Sequence, residues 1–98
     1  MLRSRLARIR SLQANLSLWA EDDPRTQETR LRLARVYQDH QDGDTDRERW
    51  DELAAIEIER VIESRTRTLG PDHPATLEAR RLAPHDLNRK PAEENPQP

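Results

Sequence analysis

Asp72-His73 is the pair of neighbours most like catalytic machinery, a carboxylate beside an imidazole. Adjacent residues rarely aim at one point, and no Ser or Cys stands in the setting of an activated nucleophile. Capping is the simpler chemistry: both side chains can accept hydrogen bonds from the free N–H groups that open a following helix. A second cluster, Asp39, Asp42, Asp44 and Asp46, suggests calcium. An EF-hand loop needs glycine at its sixth place and glutamate at its twelfth. Counted from Asp42, those places hold Arg47 and Leu53; counted from Gln38, Gly43 is sixth but Arg49 is twelfth. Both registers fail, and the cluster reads as a solvated acidic loop. His40 and His85 have no partners at zinc-ligand spacing. With no cysteine there is no thiolate site and no disulfide. No Gly-rich phosphate loop or nucleophile elbow occurs. The expectation is a non-enzymatic protein with no metal and no cofactor.

Arginine is the remaining chemistry. Arg3, Arg5, Arg8 and Arg10 fall in the first twenty residues, which hold no acid. On an amphipathic helix they could touch nucleic acid or an anionic membrane. The plainer reading is a solvated face whose apolar side packs on the next helix. The whole chain carries a net charge of −2, so it is no general polyanion binder. Its 98 residues are 33% hydrophobic and 37% charged, with no Phe, one Tyr and two Trp. That fits one small domain with a small core. Lys90 is the only lysine, as expected of a GC-rich, bacterial genome. No apolar run approaches the ~20 residues of a membrane span, and arginines interrupt any signal-like N-terminus. A cytoplasmic protein is expected.

The apolar residues that remain are spaced for helices. Leu2, Leu6, Ile9, Gln13 and Leu16, at spacings of three and four with Leu12 beside them, predict a first helix over 2–18. Asp23 and Pro24 predict the start of a second, over 24–40, with Leu33, Val36 and Tyr37 inward. Thr45-Asp46-Arg47-Glu48 has the form of a capping box and predicts a third over 46–69. Its stripe is Trp50, Leu53, Ala54, Ile58, Val61, Ile62 and Leu69, widened by Ile56. The fourth, over 74–83, is short. From Pro84 onward the chain is rich in proline, and 84–98 is expected to be a disordered tail after a helical domain over 1–83. The predicted fold is all-α, with short joints that make neighbouring helices antiparallel hairpins.

Two joints look alike. Trp19-Ala20-Glu21-Asp22-Asp23-Pro24-Arg25-Thr26-Gln27-Glu28-Thr29-Arg30 aligns with Leu69-Gly70-Pro71-Asp72-His73-Pro74-Ala75-Thr76-Leu77-Glu78-Ala79-Arg80 at a constant offset of 50. Self-similarity at such a period marks a stacked repeat. Residues 69–77 resemble the joint L-G-x-D-H-P-x-T-L of tetratricopeptide repeats of the kinesin-light-chain type. Leu33-Ala34 and Tyr37 match that family's L-A-x-x-Y, and the resemblance spans about 6–83, with extra residues at 41–52. It implies a truncated tetratricopeptide-like array that binds a protein or peptide and performs no reaction. In the family, L-N-N-L-A on the first helix of each repeat lines a groove, and its asparagines hold a peptide backbone. Here that segment is Arg30-Leu31-Arg32-Leu33-Ala34, without asparagine. Arginine forks suit carboxylates, so the partner should be acidic. The expected partner-binding residues are Arg30, Arg32, Tyr37, Arg80 and Arg81. Arginines pairing with Glu28 and Glu78 along their own helices is the alternative. Open repeat ends and the wide apolar face of the third helix add the expectation of a homodimer.

Overall fold

A computed structural model describes residues 2–39 and 45–83, with side chains from Arg5 onward. Residues 40–44 and the tail expected at 84–98 lie outside the described residues, as do most of the acidic loop and His85. Four helices follow in order, α1 (Leu2–Asn15), α2 (Pro24–Gln38), α3 (Arg47–Leu69) and α4 (Pro74–Leu82). The fold is all-α, with no strand among the described residues. Each helix packs on the next, α1 on α2, α2 on α3 and α3 on α4. The hairpins are antiparallel: Tyr37 near the end of α2 meets Trp50 near the start of α3, and Gln27 near the start of α2 meets Ser64 near the end of α3.

Helix ends depart from the sequence expectation in four places. α2 stops at Gln38, not 40, with Asp39 as its cap residue at φ −81° and ψ 76°. α1 stops at Asn15, not 18. Ser17 donates its hydroxyl to the Ala14 carbonyl, and the N–H groups of Leu16, Ser17 and Leu18 bond three residues back instead of four. A serine that competes for a backbone carbonyl favours such a tightened end. α3 starts on Asp46 as its cap residue, at φ −120° and ψ 44°, with no side-chain cap. The capping box of Thr45 and Glu48 therefore does not form; the helix begins one residue too late for Thr45 to reach it. α4 ends at Leu82, because Ala83 takes extended dihedrals of −66° and 145°. A residue before proline is pushed out of the helical region.

The core lies between α1, α2 and α3. Leu33, Ala34, Val36, Tyr37, Ala54, Ile58 and Ile9 are buried in one cluster, and Trp50 and Leu53 pack against it half-buried. Val61 is fully buried on α3. Each large side chain buried this way contributes roughly 1.5–3 kcal/mol relative to exposure. Ile56, expected to widen the inward face of α3, is 47% exposed instead. Arg5 also departs from expectation. It is buried, donates to the Tyr37 carbonyl at 3.2 Å, and sets its guanidinium 4.2 Å from the Trp50 ring centre. The basic face of α1 therefore gives one of its arginines to the core.

Candidate protein-binding groove

The surface of α2 away from the core carries Arg25, Glu28, Arg32 and Arg35, all exposed and three or four residues apart. Residues at that spacing share one side of a helix. α1 runs antiparallel beside that side, and the two leave a groove of about 760 Å³ between them. Leu12 of α1 and Val36 of α2 form its apolar floor; Arg8, Arg32 and Arg35 stand on its walls, with Ser11, Gln38 and Asp39. A second recess of about 320 Å³ shares Leu12 and Arg32 and runs on to Trp19, Pro24, Arg25 and Glu28. The two form one trough along the hairpin.

The arginines of this trough are not alike. Arg25 is engaged. Its guanidinium sits 4.9 Å from the Trp19 ring centre and bonds the Asp23 carboxylate at 3.1 and 2.9 Å. That contact holds the Asp23 carboxyl below its usual pKa, helped by the Arg25 backbone N–H. Arg8, Arg32 and Arg35 make no hydrogen bond or ion pair among the described residues. Three unneutralised guanidinium groups around an apolar floor favour a ligand that brings carboxylates and some apolar surface.

Of the residues expected to bind a partner, Arg32 lines this groove. Arg30 does not. Its side chain is 11% exposed and bridges Glu21 at 2.7 Å and Glu57 of α3 at 2.8 Å. Burial works against its charge, and the two glutamates more than offset that, so its pKa lies above the ordinary value. These acids, rather than Glu28 on its own helix, are its partners. Tyr37 is in the core: its ring lies 5.8 Å from that of Trp50, and its hydroxyl accepts a hydrogen bond from Gln13 at 3.3 Å. Burial pushes the phenol's pKa up, with the Gln13 bond opposing. Arg80 and Arg81 are exposed on α4 and do not line the groove. Sequence reasoning missed Arg8 and Arg35 as members of this site. The exposed stripe of α2 pointed to Arg35; Arg8 needed the α1–α2 register.

Asp72 and His73 divide the roles expected of them. His73 caps α4, its Nδ1 accepting from the Ala75 N–H at 3.0 Å, while Asp72 makes no hydrogen bond among the described residues. No group of three His, Asp or Glu side chains among the described residues could hold a metal ion, and none of the helices is long and apolar enough to cross a membrane. Compared with protein-family models, with curated proteins and with solved structures, the chain finds no match, so the geometry of the groove carries the functional reading.

Proposed function

We propose that this chain is a non-enzymatic protein-interaction or self-assembly module of tetratricopeptide-like architecture, working in the cytoplasm, whose α1–α2 groove takes an acidic segment of a protein. The observation that carries the reading is the set of Arg8, Arg32 and Arg35, unpaired among the described residues, around Leu12 and Val36. The repeated joint supports the architecture. A second copy of the chain belongs among the candidate partners. Binding through an exposed groove is modest, since each ion pair there contributes about 0.2–1 kcal/mol.

The test is a titration followed by Trp fluorescence or calorimetry. A Glu-rich peptide with interspersed leucines should bind, and its Lys-rich counterpart should not. Arg32→Glu with Arg35→Glu should weaken binding at least about tenfold, equivalent to ~1.4 kcal/mol, with helicity unchanged. A duplex DNA that binds better than the acidic peptide, and loses affinity steeply with salt, would replace this reading with a nucleic-acid contact.

A further inference from the structure

The outer face of α3 is the counterpart of the groove. Glu48, Glu52, Glu59 and Glu63 are all exposed and make no hydrogen bond or ion pair among the described residues. At about 100° per residue they fall within about 60° of one another around the helix. Ile56, 47% exposed, lies beside them in mid-stripe. Glu48 with Glu52, and Glu59 with Glu63, are like charges one turn apart, a spacing that opposes an isolated helix. Arg32 and Arg35 repeat the arrangement with the opposite sign on α2. Among the described residues neither face closes an ion pair on these charges, although Glu63 lies near enough to Arg67 for the two to attract.

We infer that the groove's occupant is α3 of a second copy of this chain, its glutamate stripe set against Arg8, Arg32 and Arg35 and its Ile56 on the floor of Leu12 and Val36. This rests on the groove reading above. The lengths agree: Glu48 to Glu63 spans about 22 Å of helix, and the α2 residues lining the trough, Pro24 to Gln38, span about 21 Å. One border agrees as well, because Arg49 and Arg60 lie along the Ile56 edge of the stripe while Glu28 and Asp39 lie along the trough. Stripe and groove are different surfaces, so the contact is heterologous. It closes as a pair only where a two-fold axis engages both contacts at once, and otherwise it propagates.

Light scattering and sedimentation of the whole chain test this at low salt and at about 1 M salt, where the screening length falls to ~3 Å. The parent's mass should exceed the monomer's, rise with concentration, and return to the monomer at high salt. Arg32→Glu with Arg35→Glu should be monomeric, and so should Glu59→Arg with Glu63→Arg. An equimolar mixture of the two should associate again, since one brings an intact stripe and the other an intact groove. Should a reversal unfold the chain, Glu59→Gln with Glu63→Gln, which removes charge without reversing it, should still weaken association at least about tenfold. Association that survives both reversals overturns the inference and moves the contact elsewhere. A parent that stays monomeric yet binds the Glu-rich peptide also overturns it, leaving the groove reading intact; a monomer that binds no such peptide overturns both.

Discussion

The joint that leads into α2 and the joint that leads into α4 close with the same bonds. Asp23 and His73 sit at matching cap positions, with dihedrals of −68°/133° and −64°/141°, and each side chain accepts the N–H two residues on. Pro24 and Pro74 open the helices. Thr26 donates its hydroxyl to the Ala20 carbonyl at 2.7 Å, and Thr76 donates to that of Gly70 at 2.8 Å. Both threonines are buried. The two joints differ in how the chain arrives and in what covers them. α3 runs to Leu69 and turns on Gly70, at φ 102° and ψ 155°, a region essentially reserved for glycine. α1 ends at Asn15 and spends the intervening residues in a looser turn, so Ala20 needs no positive φ. The first joint is then tied to α3: Gln27 donates to Ser64, Ser64 donates to Asp22, and Arg67 donates to Asp22, each within 2.8 Å. Fifty residues on, Asp72 and Leu77 are exposed. A helix start is therefore written in a few neighbouring residues, whereas its anchoring is written in a helix some forty residues away.

The largest expected effect strikes the helix that serves both joints. Ile58→Ala leaves a cavity in the buried face of α3 and should cost about 2–5 kcal/mol. Thermal melting by circular dichroism should show both hairpins lost in one transition; a melt within a degree of the parent's would refute the packing. Gly70→Val comes next. It adds no clash, since nothing lies within 4 Å of where its Cβ would sit, but it forces a β-branched residue to positive φ. A cost of about 1–3 kcal/mol follows, against less than about 0.5 kcal/mol for Ala20→Val at the matching, exposed position. Equal costs would mean that the joints are reached the same way. Ser64→Ala should cost about 1–2 kcal/mol, because it removes the acceptor of the Gln27 amide at 2.8 Å, leaving only the Asp22 carbonyl at 3.5 Å, and the donor to the Asp22 carboxylate. Amide exchange should speed up at the start of α2 and stay as it was at the start of α4; equal change at both would show that Ser64 supports the core in general.

The sequence made the joints legible because their chemistry is local. Gly70, the two prolines and the two threonines act on carbonyls and N–H groups within six residues. Helical spacing made α3 and its inward residues legible for the same reason. Two kinds of feature were not. Competition for a single backbone carbonyl set the end of α1, where Ser17 tightens the last turn, and α3 starts on Asp46 without any side-chain cap, one residue past the expected capping box. The roles of the arginines depended on partners distant in sequence. Arg30 and Arg32 are two residues apart, yet the first meets Glu57 of α3 and the second faces the groove. Helical spacing puts them about 200° apart, on opposite sides of α2, but only the register of α2 against α3 brings Glu57 to Arg30.

The smallest expected effect lies in pH, and it tests whether Asp22 is what distinguishes the anchored joint. Arg67 chiefly, and Ser64 after it, hold the Asp22 carboxyl below its usual pKa, against a smaller desolvation effect. A carboxyl whose folded pKa is depressed binds protons more readily in the unfolded chain. Its contribution is therefore complete above the unfolded value of about 3.9 and fades as pH falls through the lower folded value. Asp23 is depressed as well, but through Arg25 within its own turn, so it titrates without involving α3. The parent's melting temperature should therefore drop below about pH 4, and Asp22→Asn should flatten part of that drop. Arg67→Ala should flatten the larger share of that part in the parent, Ser64 holding the rest, and little of it in Asp22→Asn, because the two residues share one bond of 2.7 Å. Asp23→Asn should flatten a separate part in either background. Parallel curves for Asp22→Asn and the parent would show that the carboxylate is replaceable there, and that Ser64 with Gln27 alone distinguishes the first joint from the second.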